Sequence, residues 1–468
     1  MRAAVSAAVA LALVPAGARA TGAAPAETAG MPAPVPGLSE DSVLRALKAA
    51  ALASRPELAQ ARAQIAGLHE RPAQASVLPD PTLAVGIQND GFSGIEVGKM
   101  QMSWYSIVAS QTLPWPGKRG LRAQVAALDV RVADADLRRA QLTVAAEVER
   151  AYVALLLVRG QRALLARLDS LWQKSELAAR ARYEAGEGAQ AELLRAQLER
   201  SRLRRRSWSL DAEEAQRVAA LDRVAGRPLD QPIATNLALA DLPDPVIPDV
   251  TQAVSAALAG SPELERARLA GEQADRRVDL ARRERWPDVT LSAGVMPRGG
   301  GFTTMWQAGV ALNLPVWTAV KQKRAIAENQ ARGQAARSGV DALAQLLAER
   351  VRTRLAALRA LVDANHLYRT ELLVESEATV SSTLAQYQVG RLGFASVLEA
   401  LAGYLLDVNG YLESVAAAQR LAIADREISL EPPGGIGAGE PTVASTPGSP
   451  ATPAAGESPG GSAAMSRM

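Results

Sequence analysis

Twenty-seven prolines are spread unevenly along 468 residues, and none falls within residues 117–227 or 316–431. Proline costs about 3 kcal/mol inside a helix, since it lacks an amide hydrogen and its ring strikes the preceding turn. Two proline-free spans of this length predict helix. They are dominated by Ala, Leu, Arg, Glu and Gln, strong helix formers. Leu121, Val125, Leu128, Val132 and Ala135 recur at alternating steps of four and three, as do Leu398, Leu401, Leu405, Val408, Leu412 and Val415. That 3.5-residue period holds one apolar seam against a neighbouring helix, as in a coiled coil. Each span is interrupted once, by Tyr183-Glu184-Ala185-Gly186-Glu187-Gly188 and by Tyr387-Gln388-Val389-Gly390-Arg391-Leu392-Gly393. Glycines so close together end a helix and permit a reversal. Each span therefore reads as a long helix, a tight turn and a return helix. The helix expected from Arg119 to Arg182 would reach roughly 95 Å at 1.5 Å per residue, further than a globular domain needs.

A different texture precedes each helical span. Leu83, Val85 and Ile87 alternate with Ala84, Gly86 and Gln88, and Met100, Met102 and Trp104 alternate with Gln101 and Ser103. Val289, Leu291, Ala293 and Val295 alternate with Thr290, Ser292 and Gly294, and Trp306, Ala308, Val310, Leu312 and Leu314 repeat the pattern. Period two predicts strands with one apolar face. Glycine-containing stretches, Asn89–Lys99 and Met296–Gly301, join them, so residues 79–115 and 287–316 each read as a β-hairpin. Trp104, Tyr105, Trp115, Trp286, Phe302, Trp306 and Trp317 cluster in and beside these hairpins. Aromatics at strand ends suit a membrane–water boundary.

The chain repeats itself. Arg55-Pro56-Glu57-Leu58 returns as Ser261-Pro262-Glu263-Leu264, Pro79-Asp80 as Pro287-Asp288, and Leu113-Pro114 as Leu314-Pro315. The Tyr183/Gly186 turn returns as Tyr387/Gly390. The expected organisation is a first repeat over residues 21–225, with a helical hairpin over 119–225, and a second over 250–430, with a helical hairpin over 319–428. Proline-rich residues 226–249 link them, and residues 431–468, aperiodic in Pro, Gly, Ala, Ser and Thr, read as a disordered tail. Four strands cannot close a barrel, and unpaired strand edges are not tolerated in lipid. Closure has to come from further copies of the chain.

Residues 1–20 carry Arg2, an apolar run from Ala3 to Val14, Pro15 and Ala18-Arg19-Ala20. That is the pattern of a secretory signal peptide, and it predicts export. Composition subtracts most chemistry. With no cysteine, disulfides, thiolate nucleophiles and Cys-based zinc sites are absent, and two isolated histidines, His69 and His366, cannot build a His-rich centre. A formal charge of +3 argues against nucleic acid as a partner. The carboxylates are spread along helix faces without a convergent nucleophile and base, so no enzyme, cofactor or metal site is expected. The arginine runs Arg204-Arg205-Arg206 and Arg282-Arg283 are interleaved with acids and read as solvated helix faces.

From the mature start to about residue 430 the sequence resembles the TolC-like outer-membrane efflux proteins. The resemblance lies in the duplicated order of elements and in two Tyr-x-x-Gly turns. Tyr183-Glu-Ala-Gly186 is followed by Glu192-Leu193-Leu194-Arg195-Ala196, and Tyr387-Gln-Val-Gly390 by Ser396-Val397-Leu398-Glu399-Ala400. Ser110-Gln111-Thr112-Leu113-Pro114 with Gly117-Lys118-Arg119 is similar to the heavy-metal-efflux branch. The resemblance implies an α+β fold of long antiparallel coiled-coil hairpins and two β-hairpins. It implies a homotrimer whose 12-strand β-barrel lies in outer-membrane lipid above a periplasmic helical tunnel. A periplasmic adaptor and an inner-membrane pump of the RND type are the implied partners, with metal ions or small toxic compounds as cargo. By the same resemblance, Gly186, Gly188, Gly390 and Leu392 form the tips where the adaptor docks, and Tyr183, Glu192, Tyr387, Ser396 and Glu399 line the periplasmic aperture. Ser396 stands where the family has an acid, so a double acidic ring is not complete. A type I secretion exit channel for proteins and an exported coiled-coil scaffold without a channel are the alternative readings.

Overall fold

The computed structural model describes residues 37–432 other than 93, 230 and 319. The expected signal peptide at 1–20 and the tail from 433 onward lie outside the described residues. In chain order the elements are α1 (Ser42–Ser54), α2 (Pro56–His69), α3 (Arg71–Ser76), β1 (Thr82–Gln88), β2 (Trp104–Leu113), α4 (Lys118–Glu184) and α5 (Gln190–Ala225). Then follow α6 (Val250–Gly260), α7 (Pro262–Arg283), β3 (Asp288–Met296), β4 (Met305–Asn313), α8 (Gln322–Leu367), α9 (Leu373–Gln388) and α10 (Phe394–Arg426). Both helical spans are present, and α4 alone runs 67 residues. Helices break where the sequence has proline at a first helical position, at Pro56 and Pro262. At the second of these the Ser261 hydroxyl accepts a hydrogen bond from the Leu264 amide at 3.2 Å, a side-chain N-cap.

Two expectations change. Alternation predicts strand over Met100, Gln101 and Met102, but they lie in a turn and β2 begins at Trp104. The Asn89 side chain explains this. Its amide donates to the carbonyls of Gly91 and Gly94 at 3.0 and 2.6 Å, while its oxygen accepts from the Glu96 amide at 2.6 Å. The chain is folded back before pairing can begin, and the local alternation is overridden. The second change is a π turn at Tyr368–Leu372 between α8 and α9. Wider i→i+5 bonding inserts one residue and shifts the helix face. A heptad pattern carries no signal for that.

The chain divides into two compact units. One comprises residues 37–53, 151–244 and 376–416 of the described chain. Its core packs Leu164, Leu168, Trp172, Ala179, Ala196, Val380, Tyr387, Phe394, Val397, Leu401 and Tyr404. Phe394 meets Tyr387 and Trp172 edge-on, with ring centroids 5.5 and 6.4 Å apart, an arrangement favoured by aromatic quadrupoles.

The other unit comprises residues 54–150, 245–375 and 417–432 of the described chain. Its helical core includes Leu347, Val351, Leu355, Leu358 and Leu361, which pack with Ala257, Ala418 and Leu421. Buried Glu427 anchors the chain just beyond α10 by accepting from Arg139 at 3.1 Å and Arg150 at 2.5 Å. The four strands in this unit form one antiparallel sheet in the order β1-β2-β3-β4. The register sets Val85, Ile107, Val295 and Trp306 in one row across all four strands, and Leu83, Ala109, Ala293 and Ala308 in another. Paired residues share a face, so one face is apolar apart from Gln111, which pairs with Leu291. The opposite face is mostly small or hydroxylic but also carries Val108 and, at its end, Trp104. Thr82 and Ser110 hydrogen-bond through their hydroxyls at 2.6 Å, and Thr112 and Thr290 at 3.0 Å.

Candidate functional site

Two features carry functional geometry: a pair of glycine turns in the first unit, and the sheet with its aromatic ends in the second.

The turns have the same backbone construction. After α4, Gly186 donates to the Tyr183 carbonyl at 3.0 Å and Glu187 to the Arg182 carbonyl at 2.9 Å. After α9, Gly390 donates to Tyr387 at 3.0 Å and Arg391 to Gln386 at 2.9 Å. Each is a Schellman termination, which needs a left-handed residue at the glycine position. Gly186 has φ 74° and Gly390 φ 76°. A Cβ at Gly186 would meet nothing within 4 Å, so conformation alone requires glycine there. Space matters at Gly188, where a Cβ would stand 3.1 Å from Arg182 Cβ. Leu392 is half-buried beside the second turn.

The two tyrosines, equivalent in the sequence, diverge in the fold. Tyr387 is fully buried, and its hydroxyl donates to Glu192 Oε2 at 2.9 Å. Burial first, and then the neighbouring Glu192 carboxylate, push its phenol up to about 12. Tyr183 is 44% exposed. Of the expected aperture residues, the structure thus brings together Glu192 and Tyr387. Ser396 is half-buried in the first turn of α10, and Glu399 is exposed one turn further on.

Arg182 was not singled out by sequence reading, yet its guanidinium sits between the turns. It donates to the Tyr387 carbonyl at 2.9 Å and the Glu187 carbonyl at 3.3 Å, and it stands 5.0 Å from the Tyr387 ring centroid. Its sequence signal is faint: a basic residue in the last turn of a helix, where cations are favoured.

In the sheet, aromatics occupy both strand ends. Trp104, Tyr105, Phe302 and Trp306 lie at the end where β1 joins β2 and β3 joins β4. Trp115, Trp286 and Trp317 lie at the end where strands meet helices. Trp306 and Trp317 are largely exposed, and Trp286 about half so. Trp115 and Trp286 stack with centroids 5.1 Å apart. Beside that stack, Lys118 is 4% exposed at its side chain. Its ammonium donates to Asp288 at 2.7 Å and to the Trp286 carbonyl at 2.8 Å. Asp288 also accepts from the Trp115 amide at 2.9 Å. In the sequence Lys118 stands only within the Gly117-Lys118-Arg119 stretch, with no role of its own.

His69 and His366 are exposed at helix ends. Among the described residues, no group of three or more His, Cys, Asp or Glu side chains is placed to hold a metal ion. Arg204, Arg205 and Arg206 are exposed, as are Arg282 and Arg283, in keeping with solvated helix faces. No described helix is long and apolar enough to cross a membrane.

Residues 47–227 and 253–422 match the family described as outer membrane efflux protein. The nickel and cobalt resistance protein CnrC of Cupriavidus metallidurans is 26% identical over 266 residues. That match covers 57% of this chain and 62% of CnrC, less than two thirds of the relative's length. Among solved structures, the transmembrane channel protein CusC superposes with a TM-score of 0.71 at 17% identity, over 86% of this chain and 95% of that one. The open state of the outer membrane channel MtrE of Neisseria gonorrhoeae superposes with a TM-score of 0.68 at 19% identity, over 83% and 89%. At such identities the likeness establishes the fold.

Proposed function

The chain belongs to the outer membrane efflux protein family, and from that premise we propose that three copies form an exit duct serving a periplasmic adaptor and an inner-membrane pump of the RND type. Efflux across the outer membrane follows from family membership. The observation that carries the trimer is the sheet: among the described residues it has four strands, one face apolar but for Gln111, and edge strands β1 and β4 each with a single neighbour. Unpaired edges are excluded from lipid, and four strands cannot close. Three sheets joined edge to edge make a 12-strand barrel, apolar outward and hydroxyl-lined inward. The aromatics at the two strand ends then form its interfacial girdles, except Trp104, whose register sets it on the inner face. A scaffold without a channel leaves the apolar face without a role.

The chain is read as two repeats, residues 21–225 and 250–430, joined by 226–249, a reading supported by two separate matched stretches at 47–227 and 253–422. The turns at Gly186, Gly188, Gly390 and Leu392 are the adaptor-docking tips, and their bare backbone supports close approach. Glu192 is tied to Tyr387 within the protomer, whereas exposed Glu399 is free to project toward a shared axis with Tyr183 and Ser396. Three such carboxylates would favour cations. The cargo we propose is divalent metal ions, an assignment supported by the relative named for nickel and cobalt resistance. A deletion strain should lose resistance to nickel or cobalt, regain it with the wild-type gene, and yield an outer-membrane trimer on crosslinking. Unchanged metal tolerance alongside lost drug tolerance would refute the cargo assignment, and recovery of the protein in the soluble periplasm would refute the channel.

A further inference from the structure

Helices α4 and α9 both end at the paired turns, so two sets of terminal carbonyls and two negative dipole ends converge there. One side chain answers both. Arg182 Nη1 donates to the carbonyl of Tyr387 in the last turn of α9, and Nη2 donates to the carbonyl of Glu187 in the first turn. Its guanidinium carbon lies over the Tyr387 ring, 5.0 Å from the centroid, and its Nε is buried without a hydrogen-bond partner. Both neighbouring glycines are shaped around it. A Cβ at Gly188 would crowd Arg182 Cβ at 3.1 Å, and one at Gly390 would touch Nη2 at 3.7 Å.

We infer that Arg182 is the positioning residue that locks the two glycine turns into a single surface, so that the adaptor meets both turns in fixed register. The inference rests on the docking role proposed above for those turns. Glu192 is not the lock. Its bond to Tyr387 ties α5 to the end of α9 through a side chain, whereas Arg182 binds the turn backbones directly. Lysine is a poor substitute, because a single ammonium lacks the planar fork that spans two carbonyls while lying over a ring.

The test uses the full-length protein, which has no cysteine of its own. Spin labels on Glu187→Cys and Arg391→Cys, diluted with unlabelled chain, report the distance between the turns by pulsed electron resonance. The wild-type background should give one narrow distance peak. Arg182→Ala and Arg182→Lys should each lose that peak to a broad distribution, while Glu192→Gln should keep it. A photocrosslinker at exposed Glu187 and another at exposed Val389 should then lose adaptor capture together in the Arg182 variants. An unchanged narrow peak in Arg182→Ala would overturn the inference, as would broadening in Glu192→Gln alone. The label pair reads the chain without its partner, so failure of the docking role is separable from failure of the lock.

Discussion

Lys118 and Asp288 meet beside the Trp115–Trp286 stack, 170 residues apart in the chain. The ammonium side chain is 4% exposed and the carboxylate side chain 27%. Removing one partner of a buried ion pair costs about 3–5 kcal/mol, chiefly by leaving the other charge uncompensated. The two ends of this pair should differ. Lys118→Met leaves a carboxylate that is partly solvated and still accepts from the Trp115 amide, so its cost should fall near the lower figure, about 3 kcal/mol. Asp288→Asn strands an ammonium nearly out of water, with a carbonyl as its remaining strong partner, and should cost about 5 kcal/mol. The double variant Lys118→Met/Asp288→Leu removes both charges and should be less destabilised than the sum of Lys118→Met and Asp288→Leu by at least about 1 kcal/mol. Equilibrium urea unfolding in lipid vesicles, followed by tryptophan fluorescence, measures this, because the stacked indoles report on the joint itself. The exposed pair Arg131–Glu272, with both side chains more than half accessible, serves as a contrast. Its loss should cost about 1 kcal/mol or less. A change below about 0.5 kcal/mol for Asp288→Asn, the size expected of an ordinary surface substitution, would refute the reasoning. Strict additivity in the double variant would refute it equally.

Gly186→Ala should cost about 1 kcal/mol in thermal unfolding through the left-handed backbone alone, and Gly186→Asn less, since asparagine tolerates that region. Equal costs for the two would mean that space, not φ, demands glycine. Burial alone pushes the Glu214 carboxyl up, but hydrogen bonds from Arg159 and Arg162 outweigh it and leave Glu214 below its ordinary range. A depressed carboxyl contributes stability above its unfolded pKa and loses it as pH falls through the folded one. That contribution should therefore begin to be lost as pH falls below about 4 and be gone once pH has passed the depressed folded value. Glu214→Gln should flatten this part of the acid limb in melting profiles.

Much of the fold is written locally. Proline placement, the 3.5-residue seams and the period-two alternations identify helices and strands, because each follows from backbone geometry within a few residues. The glycines of the two turns are legible for the same reason: a positive φ is required whatever lies nearby. Met100–Met102 marks the limit. Its alternation is that of a strand, yet Asn89, eleven residues earlier, ties the chain into a turn instead. The π turn at Tyr368–Leu372 changes helix register without changing composition, so no local pattern announces it.

Partnership is what the tertiary structure decided. Tyr183 and Tyr387 share a motif, but packing buries the second against Phe394 and Arg182 and leaves the first in solvent. Arg182 and Lys118 look like two among 52 basic residues, and their roles arise from groups 205 and 170 residues away along the chain. A residue's conformational preference is set by its neighbours in sequence, so the sequence by itself determines the elements and their breaks. The meaning of a charge depends on which carbonyl, ring or carboxylate is brought beside it and how far water is excluded, and only the folded chain determines that.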